Sequence, residues 1–477
     1  MPWSERSDVW FERLRAFTAT WLEKLRDSIK SSRARELLLL SLPYQIAAVI
    51  TAFLAVGFAK LFALAELAND WLLSLHPSVI LISAPAAFLL SWWTVRRFAP
   101  MAGGSGIPHL MAAIEVSSDA GSDRSWRFLN VRIILVKILS SVTMVLGGGA
   151  VGREGPTLQI AGSVYRTVHR LLPPFWPKVS RKIMMITGGA AGLSAAFNTP
   201  LGGIVFAVEE LTRTHIAQFR TAVLSAVILS GMTAQWLLGP YLFLGYPKLE
   251  PVGFSFMYKV LIIGICAGAA GALFNKALLI MDRLRTKARS SLVQGFFVLL
   301  CSLAFACTFL WLGERTLGSG KLVLEHYLFD PGMDPSWRDI LARMLGPIFS
   351  FSAGGAGGVF APALSTGATI GGYIGQFFSP TRGEYNVLVL AGMTAFLTGV
   401  TRSPFTSAIL VLEMTDRHSA IFQLMYAASF GYLIAYAIDR KSYYEHVKER
   451  LVRSVNDTPN RRTTLRRERS DGPESSS

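Results

Sequence analysis

Residues 147–156 read GGGAVGREGP and lie within a strongly apolar part of the chain. Arg153 and Glu154 are candidate functional residues, because an ionisable side chain inside a bilayer is costly. Glycine interrupts regular helix, and proline is favoured in the first turn of a new one. The stretch therefore predicts a break in a membrane helix, with a new helix that begins at about Pro156 and directs its N–H groups at Glu154. The alternative is a glutamate that stabilises an ordinary helix N-terminus.

The composition is that of a membrane protein. Of the 477 residues, 51% are hydrophobic and 16% are charged. Uncharged runs that exceed the roughly 20 residues of a membrane-spanning helix predict an all-α, polytopic, integral membrane protein. These runs are residues 37–59, 71–95, 183–208, 221–247 and 290–313.

The net charge of +16 does not predict nucleic-acid binding here, because the basic residues lie mostly at the termini and in short loops. Arg33 and Arg35 precede the first span, and five arginines lie between residues 461 and 469 after the last. Under the positive-inside rule, both termini are predicted to be cytoplasmic. The three cysteines and seven histidines show no metal-ligand spacing, so no metal and no cofactor are expected.

The polarity of the chain divides it into three parts. Residues 1–36 have the spacing of an amphipathic helix at the membrane surface, with a partly ordered basic tail as the alternative. Residues 37–450 form the predicted transmembrane transport domain, in two halves at about 37–245 and 257–450. Residues 451–477 are predicted to be a disordered basic tail.

Further breaks interrupt the apolar runs. Residues 101–109 read MAGGSGIPH, where Gly104, Ser105 and Gly106 could form an anion-binding nest or a plain turn. Residues 197–200 (FNTP) interrupt another run, which ends in Glu209-Glu210. We expect Glu209 to be a solvated helix end.

The second half of the chain contains breaks of the same kind. Residues 314–343 read as an extramembrane loop, and residues 344–381 as a discontinuous or re-entrant helix pair around a glycine-rich break. Residues 385–412 are broken at Arg402-Ser403-Pro404.

Two stretches in the first half of the chain have similar counterparts in the second half. Residues 152–156 (GREGP) align with 358–362 (GVFAP) at an offset of 206, and 200–209 align with 404–413 at an offset of 204. Matching breaks in two halves point to a transport site near the membrane midplane, where positive helix ends converge on one anion. The alternative is chance similarity among glycine-rich spans.

Three motifs resemble the signatures of the CLC family of chloride channels and proton-coupled chloride transporters. They are GSGIP (104–108), GREGP (152–156) and GVFAP (358–362), in family order. The resemblance covers about residues 37–450. It implies two inverted repeats with broken helices, and a homodimer in the lipid bilayer with one pore per subunit.

The resemblance also implies roles for individual residues. Ser105 and Tyr444 would direct hydroxyl groups at a central chloride, although Tyr443 is an adjacent alternative. Main-chain N–H groups of Val359 and Phe360 would complete the site, and Glu154 would be the gating glutamate. The residues expected at the anion are Gly104, Ser105, Gly106, Arg153, Glu154, Gly155, Val359, Phe360 and Tyr444.

Glu210 matches the internal proton-transfer glutamate of the family's exchangers, and the second half has Met414 at the corresponding position. The leading hypothesis is therefore a chloride/proton antiporter in a bacterial inner membrane, without the regulatory domains of some relatives. The alternatives are a passive chloride channel on the same fold and an intramembrane enzyme that uses Glu154 as an acid or base. The enzyme is disfavoured because neither a nucleophile nor a metal cluster lies nearby in sequence.

Overall fold

The computed structural model describes residues 32–118, 123–212, 221–239, 242–288, 290–330, 332, 335–415 and 417–457. This part of the chain folds into seventeen α-helices, as the apolar runs predict. In order they are α1 (Ser32–Leu75), α2 (Ile80–Phe98), α3 (Ile107–Glu115), α4 (Val131–Leu146), α5 (Glu154–Leu171), α6 (Arg181–Phe197), α7 (Pro200–Phe206), α8 (Thr221–Leu238), α9 (Met257–Lys287), α10 (Ser291–Leu312), α11 (Lys321–Phe329), α12 (Trp337–Ser352), α13 (Phe360–Gly375), α14 (Arg382–Thr401), α15 (Pro404–Thr415), α16 (Ile421–Ile438) and α17 (Tyr443–Asn456).

Six helical segments among the described residues are long and apolar enough to cross a membrane. They contain α1, α2, α4, α9, α10 and α16. Other helices pack between them, and α5, α13 and α14 are largely buried in protein. The broken helices therefore lie inside the helical bundle rather than in lipid, where their free backbone groups would be unsatisfied.

The structure corrects the first two predicted spans. A single helix, α1, continues through Leu75, whereas the uncharged run ends at Ala59. The predicted span 71–95 is divided by a short 3₁₀ turn at Pro77–Val79, where His76 Nδ1 accepts the N–H of Ser78. Charged residues on α1 interrupt the uncharged run but not the helix, so the helix end predicted from the uncharged run falls too early in the chain.

The predicted helix breaks are confirmed. Asn198 and Arg402 both have left-handed backbone conformations, with φ of 57° and 65°, and each ends one helix two residues before a proline starts the next. The glycine-rich break lies between Ser352 and Phe360. The helix expected to begin at about Pro156 begins at Glu154, so the carboxylate belongs to its first turn.

Helices α1–α8 and α9–α16 are two copies of one arrangement. Helices α4 and α12 each have 16 residues and start 206 residues apart, while α3 and α11 each have nine. Corresponding pairs pack in both halves: α5 with α6 and α13 with α14, α2 with α4 and α10 with α12, and α1 with α8 and α9 with α16. The helices and their packing therefore confirm a duplicated fold with inverted repeats.

Of the two outer parts of the predicted domain division, the structure bears only on the C-terminal one. The N-terminal helix predicted for residues 1–36 lies almost entirely outside the described residues. At the other end α17 continues to Asn456, so helix extends six residues beyond the predicted boundary, and residues 458–477 lie outside the described part. The segment 314–343, predicted as a loop, contains α11 and the start of α12.

Candidate anion-transport site

The three glycine motifs meet at the centre of the molecule. Gly104 donates its N–H to the carbonyl of Gly355 at 2.8 Å and accepts the N–H of Gly357 at 3.2 Å. Gly152 and Gly358 exchange two hydrogen bonds of 2.7 Å each. These bonds join segments that are about 200–250 residues apart in sequence, and the reciprocal pair relates the two halves by a local two-fold arrangement.

Two hydroxyl groups face each other at this junction. Ser105 Oγ and Tyr444 Oη are buried and close together, and neither has a hydrogen-bond partner elsewhere in the described part of the chain. Buried hydroxyl groups are normally satisfied. Both can donate to a shared acceptor, which fits the anion ligands that the sequence predicts at Ser105 and Tyr444.

The Glu154 side chain lies between the starts of two helices. It is 1% exposed and faces the main-chain N–H groups of its own residue and of Ala361, in the first turn of α13. Its Oε2 atom also lies against the α-carbon of Gly152, where any side chain would collide with it. The carboxylate therefore occupies a place that helix N-termini make favourable for a negative charge.

The second half contributes the start of α13. Val359 is the N-cap residue and Phe360 the first helical residue, and both are almost completely buried. The first bond back to this end is from Ala363 N to Val359 O, at 2.9 Å, and N–H groups before that point have no intrahelical partner. The predicted N–H donors at Val359 and Phe360 thus lie at a buried helix start.

Lys137 is a part of the site that the sequence analysis missed. This residue of α4 is completely buried, and its Nζ donates to the carbonyls of Ala102, Gly103 and Gly104 at 2.9, 3.3 and 2.7 Å. The ammonium group therefore fixes the loop that carries Ser105 and supplies a positive charge beneath it. A single lysine within the apolar run 133–151 was the available signal.

Arg153 lies at the edge of the site. It is partly exposed and close enough to Glu154 for direct electrostatic interaction. Glu66 of α1 lies within electrostatic range of both Arg153 and Glu154. The Glu66 Oε1 atom accepts the hydroxyl of Ser319 at 3.4 Å. Glu66 is a second residue that sequence reasoning missed, because its place in the fold depends on the length of α1.

Glu210 lies on a π-helical turn (Ala207–Thr212) that follows α7, within electrostatic range of Tyr444. Its Oε2 accepts the hydroxyl of Ser403 at 2.6 Å. The prediction that Glu209 is a solvated helix end is wrong. Its carboxylate accepts the N–H groups of Phe405 and Thr406, at the start of α15, at 3.2 and 2.7 Å.

These features define a polytopic membrane protein in which broken helices from two repeats surround a buried cluster of hydrogen-bond donors. Comparison with known proteins identifies the family. Residues 87–436 match the family model described as voltage gated chloride channel, and the chain belongs to this CLC family.

Curated relatives match over most of their length. The H(+)/Cl(-) exchange transporter ClcA of Salmonella agona is 30% identical over 449 residues, which cover 89% of this chain and 92% of the relative. The ClcA protein of Klebsiella pneumoniae strain 342 is 30% identical over 402 residues, 82% of each chain.

Solved structures share the fold. A slow cyanobacterial Cl-/H+ antiporter aligns with a TM-score of 0.75 at 22% identity, over 88% of this chain and 99% of that one. A CLC-type fluoride/proton antiporter aligns with a TM-score of 0.69 at 19% identity, over 86% and 97% of the two chains.

Proposed function

We propose that this protein is a secondary active transporter that exchanges chloride for protons across a membrane. The observation that carries the proposal is the position of the Glu154 carboxylate, between the first turns of α5 and α13. Chloride would be attracted by the same N–H groups. The named function of the curated relatives, proton/chloride exchange, supports the same conclusion.

In this mechanism the ionised Glu154 side chain competes with chloride for one place. Protonation removes its negative charge and weakens its interaction with the helix N-termini, so the side chain moves out and chloride can enter. Ser105, Tyr444 and the N–H groups near Val359 and Phe360 then bind the anion without a full positive charge in contact with it. Binding by partial charges allows release as well as attraction.

Glu210 is the proposed proton-transfer group on the other side of the site. It is 5% exposed and lies within electrostatic range of Tyr444. A passive channel needs no second buried acid. The presence of Glu210 therefore favours exchange over the channel alternative.

Purified protein in liposomes provides the test, with chloride and pH recorded together. A chloride gradient should drive protons against their own gradient in the wild type. Glu210→Gln should retain chloride flux without proton movement, and Glu154→Gln should in addition lose activation by low pH. Chloride flux with no proton movement in the wild type would identify a channel instead.

The remaining features of the proposal concern assembly and location. We propose a homodimer in the lipid bilayer with one pore per subunit, in a bacterial inner membrane with both termini cytoplasmic. The bacterial relatives and the basic termini support it. We also propose that the protein has no enzymatic activity, since its curated relatives are transporters. Mass measurement in detergent and protease access to tagged termini would test assembly and orientation.

A further inference from the structure

The contact between α7 and α15 contains one symmetric feature and one asymmetric feature. In the symmetric feature, the Glu413 carboxylate accepts the N–H groups of Leu201 and Gly202 at 3.1 and 2.8 Å. Glu209 accepts the corresponding N–H groups at the start of α15. Glu413 of α15 thus caps α7, and Glu209, on the turn that follows α7, caps α15. The repeat alone explains both caps.

The asymmetric feature involves Glu210, the residue after Glu209. Ser403, which is 1% exposed, donates its hydroxyl to Glu210 at 2.6 Å. The residue that corresponds to Ser403 in the first half is Thr199, which would face Met414 at the position of Glu210. Thr199 Oγ1 is buried and forms no hydrogen bond among the described residues. The repeat does not explain the bond between Ser403 and Glu210.

The backbone around Glu210 departs from the repeat at the same place. The first half has a π turn at Ala207–Thr212, whereas α15 remains α-helical through Thr415. Single π turns are frequent at functional sites. Here the turn brings two consecutive carboxylates to one helix start, which donates hydrogen bonds to both.

The charged and titratable groups near Glu210 in the described residues include one on its own turn and two on neighbouring elements. Glu209 is adjacent on the same turn, and Tyr444 of α17 lies within electrostatic range of Glu210. Arg402, the neighbour of Ser403, turns away and donates to the carbonyls of Ala435 and Asp439 at 3.1 and 3.2 Å. The Arg402 guanidinium group therefore bonds to the end of α16 and to the residue that follows it, before α17.

We propose that Ser403 is a positioning residue of the proton pathway, which stabilises the ionised form of Glu210 and so sets the pH at which Glu210 takes up and releases its proton. The proposal rests on the role of Glu210 in the proposed function. A hydroxyl donor stabilises a carboxylate more than a carboxylic acid. Without this donor Glu210 would hold its proton to higher pH and release it more slowly at neutral pH.

The test measures Glu210 titration without depending on transport. In purified protein the carboxylic-acid infrared band that disappears in Glu210→Gln reports protonation of this residue. Ser403→Ala should move the midpoint of that band to higher pH by about one unit, as expected when a hydrogen bond to a charged group is lost. Ser403→Thr, which keeps the hydroxyl, should restore the wild-type midpoint.

Thr199→Ala is the matched control, because it removes a hydroxyl at the symmetry-related position. It should leave the midpoint unchanged, and in liposomes only Ser403→Ala should move the pH profile of coupled exchange. An unshifted midpoint in Ser403→Ala, or an equal shift in Thr199→Ala, would overturn the proposal. A different result would separate the two proposals. If the wild type moved chloride without protons but Ser403→Ala still shifted the midpoint, exchange would be refuted and the effect of Ser403 on Glu210 would stand.

Discussion

Gly155 packs so tightly against Ser105 that a Cβ atom at position 155 would lie 2.7 Å from the Ser105 carbonyl oxygen, and closer still to its hydroxyl. We therefore expect Gly155→Ala to displace Ser105 and weaken chloride binding by tenfold or more, roughly the effect of losing one well-placed hydrogen bond. Isothermal titration of chloride measures this. Gly57→Ala is the control, because a Cβ atom at Gly57 meets no atom within 4 Å.

Local sequence was sufficient to predict the helix breaks, because glycine and proline act within a few residues. The offsets of 206 and 204 predicted that the motifs meet, and the Gly152–Gly358 bonds confirm it. Residues whose roles depend on distant backbone were missed. Lys137 contacts carbonyls more than 30 residues away, so its position in an apolar run marks it as unusual without showing which groups it bonds.

Lys137→Met should weaken chloride binding and lower thermal stability. The change removes the only ammonium group that bonds the Ala102–Gly104 carbonyls in the described residues, and it removes a positive charge beneath Ser105. Loss of three such bonds should cost on the order of 2–4 kcal/mol of stability. Lys60→Met, at an exposed position of α1, serves as the control. Equal chloride affinity in the two variants would contradict this role.

Glu66→Gln should move the low-pH activation of transport to lower pH. The Glu66 charge lies within electrostatic range of Glu154 and opposes its ionisation, so its removal makes protonation of Glu154 require more acid. Flux measured across a pH series tests this. In a Glu154→Gln background the same change should have no effect, and a shift that persisted there would show that Glu66 acts by another route.

Asp123→Asn should lower stability in a way that depends on pH. Burial opposes the charge of Asp123, but hydrogen bonds from Ser125 and the Arg166 guanidinium outweigh it and hold the pKa of Asp123 below its usual value. Such a group contributes stability above its unfolded pKa, about 3.9, and this contribution is lost as the pH falls through the lower folded pKa. The difference in Tm between wild type and variant should therefore be large at pH 7 and shrink in strong acid. The exposed Glu314→Gln should show no such trend.

The reciprocal caps of Glu209 and Glu413 lead to a prediction about how the halves are held together. Each carboxylate accepts two main-chain N–H groups at the start of the opposite helix, where charge and dipole both favour it. Glu413→Ala should cost about 1–2 kcal/mol of stability, and Glu413→Gln less, because it keeps an acceptor without the charge.

Both caps hold the same contact between α7 and α15, so once one is lost the other has less structure to stabilise. The double variant Glu209→Ala/Glu413→Ala should thus lose less than the sum of the single losses. Thermal unfolding in detergent measures each stability loss. The control is Glu325→Ala, which removes a partly exposed ion pair with Lys321, a kind of pair that contributes little to stability. Strict additivity would show instead that each glutamate stabilises only the helix it caps.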